Sequence, residues 1–92
     1  MRITVKTFAS LREVMENEVH MEVREGETLG QILSTLCETH AGLGEALFEA
    51  PGILRQYVNI LKNGRNIAFI GGTATTVEEG DVIALFPPVA GG

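Results

Sequence analysis

Few residues of this chain are of a type that does chemistry, and most of those sit at positions better suited to packing. Cys37 is the only cysteine, and His20 and His40 are the only histidines. Cys37 falls on an apolar stripe of helical spacing, the place of a small core hydrophobe rather than of a nucleophile or sulfur carrier. His40 lies near the end of the same helix, where an imidazolium interacts favourably with the helix dipole. His20 is on the polar side of an alternating strand, where water is its expected partner. The acidic run Glu78, Glu79 and Asp81 lacks the ligand spacing of a calcium loop and reads as a solvated turn. A single cysteine excludes a disulfide framework and any Cys-cluster zinc site. No G-x-S-x-G, H-E-x-x-H or Walker A pattern occurs. Gly42-Leu43-Gly44 follows a helix and lacks a third glycine, so it is no dinucleotide loop. On this reading the chain binds no metal and no other cofactor by itself.

What remains is the C-terminus. Two of the 11 glycines, Gly91 and Gly92, close the chain after Pro87-Pro88-Val89-Ala90. Glycine has no Cβ, so a Gly-Gly end can thread a channel too narrow for any other residue. Extended from Pro87 to Gly92, such a segment reaches ~20 Å at ~3.3 Å per residue. That is enough to carry a carboxylate into another protein's active site. The double proline stiffens the root of the segment and lowers the entropy lost on insertion. A floppy terminus without function has the same composition, and Gly-Gly alone does not separate the two. The expected division is a folded domain over 1–88 and a flexible Gly-Gly tail over 89–92.

The elements that must hold this tail can be read from periodicity and turn chemistry. Residues 2–9 alternate as a strand, and Ser10-Leu11-Arg12-Glu13 fits a capping box opening a short helix to about Met15. Residues 18–24 are a second strand, with Val19, Met21 and Val23 on one side. Thr28-Leu29-Gly30-Gln31 fits a second capping box. Leu29, Ile32, Leu33, Leu36, Cys37 and His40 then make one helical stripe, with Gly42 at the expected C′ position. Leu43, Ala46, Leu47 and Ala50 suggest one or two helical turns ended by Pro51-Gly52. Residues 56–62 and 65–70 read as strands around Asn63-Gly64, the strongest short hairpin signal. Val82 to Phe86 is a last apolar strand, stopped by Pro87-Pro88. The single long helix can cover only one face of the sheet, so the fold class is α+β, a roll with a mixed sheet.

Composition narrows the function classes. The 92 residues, 45% apolar and 21% charged, suit one globular domain with one core. Seven Lys and Arg against 12 Asp and Glu leave a net charge of −5, which disfavours nucleic-acid binding. No apolar run approaches the ~18 residues of a membrane span. The alternating N-terminus has no signal-peptide pattern, so a cytoplasmic protein in a reducing compartment is expected.

Residues 63–92, from Asn63-Gly64-Arg65 through Glu79-Gly80-Asp81-Val82 to Phe86-Pro87-Pro88-Val89-Ala90-Gly91-Gly92, resemble the ubiquitin-like sulfur carriers. The pattern is most similar to the small subunit of molybdopterin synthase. Phe8-Ala9 and Leu11-Arg12-Glu13 match that family near the N-terminus, and the likeness is loosest over 43–54. The resemblance implies a β-grasp fold. It also implies a mechanism, in which a ubiquitin-activating-type enzyme uses ATP to adenylate the carboxylate of Gly92. A sulfur donor protein then converts the adenylate to a thiocarboxylate. The thiocarboxylate inserts into the large subunit of molybdopterin synthase and gives its sulfur to a cyclic pterin precursor. Two transfers make the dithiolene that holds molybdenum or tungsten. Gly92 is then the reacting residue and Gly91 supplies clearance, while Pro87, Pro88, Val89 and Ala90 follow it into the partner. Phe8 breaks the alternation of the first strand, and Phe86 ends the last. The two rings form either one exposed docking patch beside the tail or part of the core. Relatives with the same fold and tail are protein modifiers that form isopeptide bonds, some also supplying sulfur for tRNA thiolation. The thiamine sulfur carrier is a third relative, whose chains lack the Phe-Pro-Pro step. Only Lys6 and Lys62 are available for self-linkage, which disfavours extensive self-linked chains and leaves modification of other proteins open.

Overall fold

The computed structural model describes residues 1–88. Val89, Ala90, Gly91 and Gly92, expected to form the flexible tail, lie outside the described residues. In chain order the elements are β1 (Arg2–Thr7), a 3-10 turn (Ala9–Glu13), β2 (Glu18–Glu22), α1 (Leu29–Thr39), α2 (Leu43–Leu47), β3 (Phe48–Ala50), β4 (Ile53–Leu54), β5 (Asn59–Lys62), β6 (Arg65–Asn66), 3-10 turns at Ile67–Phe69 and Gly72–Ala74, and β7 (Val82–Phe86). Five strands form one mixed sheet in the order β2-β1-β7-β5-β6, and β3 and β4 pair separately. β7 runs parallel to β1 and antiparallel to β5. Two hairpins flanking one main helix, with the first and last strands side by side, make the β-grasp that the resemblance implies.

Alternation in β1 sends Ile3, Val5 and Thr7 inward, and alternation in β7 does the same for Ile83 and Leu85. α1 lays Leu29, Ile32, Leu33 and Leu36 into the same core with Leu11, Leu43, Leu47 and Ile60. Each such side chain contributes about 1.5–3 kcal/mol of burial. The capping box of α1 forms as expected. The Thr28 hydroxyl accepts from the Gln31 amide at 3.2 Å, and the Gln31 side chain accepts from the Thr28 amide at 2.9 Å. Thr7 is polar and buried, and its hydroxyl donates to the Glu16 carbonyl at 2.8 Å.

Several expectations are corrected. No capping box forms at Ser10, because the turn begins two residues earlier than that box requires. Phe8 is its N-cap without a side-chain bond, and Ala9 takes a left-handed φ of +53° so that Leu11 reaches the core. Gly42 does not close α1, which ends with His40 in extended conformation. Gly42 opens α2 instead, at φ +91°, where a Cβ would come within 3.0 Å of Val14 Cγ1. Pro51-Gly52 turns the β3–β4 hairpin rather than only ending a helix. The return strand expected over 65–70 pairs only at Arg65 and Asn66. There the Asn66 side chain accepts from the Ala68 amide at 2.9 Å and caps a 3-10 turn, a local bond that competes with the ladder. The strands read over 18–24 and 56–62 are shorter, ending at Glu22 and beginning at Asn59.

The Asn63-Gly64 turn has φ of +49° and +86°, as a type I′ hairpin requires. Its asparagine also reaches into the sheet. Asn63 Nδ2 donates to Asp81 Oδ1 at 2.8 Å, and Asn63 Oδ1 accepts from the Val82 amide at 2.8 Å. Asp81 Oδ2 accepts from the Glu78 amide at 2.7 Å and lies 3.5 Å from Lys62 Nζ. Burial pushes the Asp81 carboxyl up, but the Asn63 bond, the Glu78 amide and Lys62 together outweigh it and hold the group below the ordinary carboxylate range. The solvated acidic turn expected at 78–81 is therefore half right, since Asp81 is buried. Asp81→Asn is expected to cost about 2–3 kcal/mol at neutral pH, the worth of hydrogen bonds to a charged group. Because the folded-state value is depressed, this advantage is complete above the unfolded carboxylate value of ~3.9 and disappears as pH falls through the lower folded value. Urea unfolding of both proteins at neutral pH and at about pH 3 checks it, the difference between them shrinking in acid.

Candidate functional site

The parallel pairing of β1 with β7 brings the C-terminal ends of both strands to one place on the sheet. Lys6 is opposite Ala84 and Thr7 opposite Leu85, so Phe8 arrives level with Phe86. Strand parity then puts both rings on the outer face, away from α1. They stack nearly parallel, with centroids 4.4 Å apart and planes inclined by 8°. Both residues are half-buried, as an exposed pair in mutual contact must be. Pro87 is buried and Pro88 half-buried, so the chain is held against the body until just before the undescribed residues begin.

Arg12 completes this corner. Its Nε donates to the Thr7 carbonyl at 3.0 Å, and its guanidinium carbon stands 5.3 Å from the centre of the Phe8 ring. At that distance the cation is attracted by the ring face. The left-handed turn at Ala9 makes this possible, because it folds the 3-10 turn back over the end of β1. Sequence reasoning used Arg12 only as part of a helix start. The available signal was a basic residue four positions after an aromatic one, which specifies proximity only once the turn is known. On the other flank, Asn59 is opposite Phe86 on β5, and Asn59 Oδ1 accepts from Asn66 Nδ2 at 3.1 Å.

The remaining candidates are placed away from this corner. His20 is not simply solvated. Its Nδ1 is 3.1 Å from the Thr4 hydroxyl and its Nε2 is 3.2 Å from Glu18 on the outer face. His40 Nδ1 meets the Leu36 carbonyl at 3.0 Å, and its Nε2 meets Glu16 at 2.9 Å, tying the end of α1 to the segment before β2. The Glu16 backbone amide and His40 hold the Glu16 carboxyl below its ordinary value. Cys37 is half-buried beside a groove of about 820 Å³ bounded by α1, the β3–β4 hairpin and the 72–74 turn. Burial pushes its thiol up, away from the reactive thiolate. Among the described residues, no group of three or more His, Cys, Asp or Glu side chains is arranged to hold a metal ion. Nor, among them, is any helix long and apolar enough to cross a membrane. Val89, Ala90, Gly91 and Gly92 lie outside the described residues.

The ring pair makes a stability prediction distinct from that of the core. Phe86→Ala removes a half-exposed ring, and its coupling to Phe8→Ala in a double-mutant cycle is expected to be about 0.5–1.5 kcal/mol. Leu85→Ala, one residue away but fully buried, is expected to cost about 2–5 kcal/mol. Urea unfolding of the four variants checks both values.

Comparison with known proteins agrees with this geometry. The ThiS family pattern matches residues 5–92. Small archaeal modifier protein 3 of Haloferax volcanii is 38% identical over 93 residues, covering the whole of both chains. The sulfur carrier protein CysO of Mycobacterium bovis is 41% identical over 69 residues, 73% of this chain and 74% of the relative. A solved structure from Pyrococcus furiosus, assigned as molybdopterin converting factor subunit 1, superposes with a TM-score of 0.75 at 27% identity, over 96% of this chain and 98% of that one. The ring pair and the buried Pro87 beside it are thus carried on a fold shared, over nearly the full length, with a small archaeal modifier protein and a molybdopterin converting factor subunit. The chain belongs to the ThiS family, among the small ubiquitin-like sulfur carriers and modifiers.

Proposed function

We propose that this protein works through the carboxyl group of Gly92, which a ubiquitin-activating-type enzyme adenylates with ATP and a sulfur donor protein converts to a thiocarboxylate. A carboxylate is a poor electrophile, and making AMP the leaving group activates it. The thiocarboxylate that results is a sulfur nucleophile carried on a soluble body. In this reading the protein is the small subunit of molybdopterin synthase. It docks on the large subunit through Phe8, Phe86 and Pro87 to Ala90, and delivers sulfur from Gly92 to a cyclic pterin precursor. The observation that carries the proposal is the Phe8–Phe86 stack at the exit of the C-terminal segment. An aromatic pair standing on the outer face of the sheet suits an interface anchor better than a core, and central aromatic anchors commonly supply ~2 kcal/mol or more. The Pyrococcus furiosus structure supports the choice of acceptor. The chain needs no bound cofactor of its own in this scheme, since ATP is used by the activating enzyme.

A second reading has its own support. The Haloferax modifier matches this chain from end to end. In this reading the same activated Gly92 is transferred to lysine amines of other proteins, and sulfur supply for tRNA thiolation can accompany it.

Deleting Gly92 is expected to abolish sulfur delivery while leaving the thermal unfolding curve unchanged, because glycine has no side chain to add to the core. Intact mass of protein purified from its host is expected to show one oxygen replaced by sulfur at the C-terminus. Pterin conversion that persists without Gly92 would falsify the proposal. A tagged copy on a denaturing gel separates the readings, with a ladder of conjugates dependent on Gly92 favouring the modifier. Phe86→Ala is expected to weaken binding to the large subunit by roughly 30-fold, measured by calorimetry, well beyond its effect on stability.

A further inference from the structure

The groove beside Cys37 takes no part in the function proposed above, and its composition is particular. It opens between α1, the β3–β4 hairpin and the 72–74 turn, with a volume of about 820 Å³. That lies within the ~300–1,000 Å³ of sites that bury a ligand. Small residues keep its walls apart. On α1 these are Gly30, Ser34 and Cys37, at i, i+4 and i+7 on one side of the helix. Gly30 has to be small, because a Cβ there would come 3.3 Å from the Thr73 carbonyl oxygen. Gly44 of α2 does not, since its Cβ would only touch Cys37 at 3.8 Å. The missing side chain of Gly44 therefore leaves open space rather than relieving a clash. Phe48 packs on the core, yet it is only half-buried and gives apolar surface to the groove together with Ala50 and Pro51.

The charges of this lining are all of one sign. They belong to Glu45 and Glu49, both exposed. Among the described residues neither carboxylate forms an ion pair, whereas Glu16, Glu18, Glu78 and Asp81 each do. Arg55 comes near Glu45, but its Nε donates to the main-chain carbonyl at 2.6 Å rather than to the carboxylate. An apolar groove lined by two unpaired carboxylates attracts apolar side chains that arrive with cations, and it repels acidic ones.

We propose that this groove is a docking site for a peptide segment of a partner protein in which a bulky apolar side chain is flanked by lysine or arginine. The apolar side chain fills the space left by Ser34 and Gly44 against Phe48, and the cations meet Glu45 and Glu49. The ring pair stands on the other face of the sheet, away from α1. A partner in the groove therefore leaves Phe8 and Phe86 open to a second protein, and the site does not depend on how Gly92 reacts.

A random peptide library displayed on phage, panned on the full-length protein and counter-selected on Ser34→Trp, tests this. Ser34 is exposed on α1, so tryptophan there fills the groove without entering the core. Thermal unfolding checks that the variant is folded, and Gly44→Leu, which fills the groove from the opposite wall, takes its place if it is not. Peptides retained by the parent alone are expected to carry Phe, Leu or Trp beside Lys or Arg. They are expected to shift the amide NMR signals of residues 30–37, 44–52 and 72–74. Their affinity is expected to fall about tenfold in the double variant Glu45→Gln, Glu49→Gln, which loses two exposed ion pairs, and to fall as salt is raised. A library that yields no peptide distinguishing the parent from a folded, filled variant overturns the proposal. So do selected peptides that are acidic or uncharged, shifts centred on Phe8 and Phe86 instead, or groove signals that move with protein concentration alone, the mark of a second copy in the groove.

Discussion

The parallel pairing of β1 with β7 is the constraint on which the rest of this molecule depends. It places the first and last strands together in the middle of the sheet, and so brings the end of the folded chain beside Phe8. Its register matters to single-residue accuracy. A slip of one residue turns every side chain to the opposite face, which would bury Phe86 and expose Leu85. Several bonds at the start of β7 pin the register. The Thr4 amide donates to the Asp81 carbonyl at 2.9 Å, and the Gly80 amide to the Arg2 carbonyl at 2.8 Å. Asp81 then ties the same point to the Asn63 turn and to Lys62 on β5. One residue thereby couples three strands, its backbone carbonyl holding β1 and its carboxylate the Asn63 turn and Lys62, and the bonds to the carboxylate outweigh the cost of burying its charge.

The two faces of the sheet divide the work. The inner face, under α1, is apolar and close-packed, with Leu29, Leu33, Ile83 and Leu85 fully buried. The outer face carries the ring pair, with Lys6 on the same strand face and Arg12 beside Phe8. An aromatic anchor with a guanidinium held by both a carbonyl and a ring combines the residue types enriched at the centre of interfaces. Cys37 and its groove lie on the helix side, and partial burial pushes the thiol up from its ordinary value. In the proposed function the body serves as a mount and the reacting group is the carboxyl of Gly92.

Much of the architecture was legible because strong local signals agreed with the final packing. The Thr28 capping box, the stripe from Leu29 to Leu36 and the Asn63-Gly64 turn each formed as read. The readings that failed lay where a local signal met a competing demand. Ser10-Leu11-Arg12-Glu13 has the letters of a capping box, but the turn that buries Leu11 starts two residues earlier, with Phe8 as its N-cap. Residues 65–70 have strand-like composition, but the Asn66 side chain captured a backbone amide and ended the ladder. The β3–β4 hairpin was missed because its strands are too short to show alternation.

The sequence by itself determined the spacing of core residues, the turn chemistry and the presence of Gly91-Gly92 behind a double proline. These depend on side-chain type and on neighbours a few positions away. Only the tertiary structure decided that Phe8 and Phe86 stack, that Arg12 joins them, that Asp81 is buried and that Lys62 is engaged while Lys6 is exposed with a long ion pair to Glu18. Those facts join residues up to 78 positions apart. They follow from which strands pair and in what register, and that is settled by packing of the whole core rather than by any local pattern.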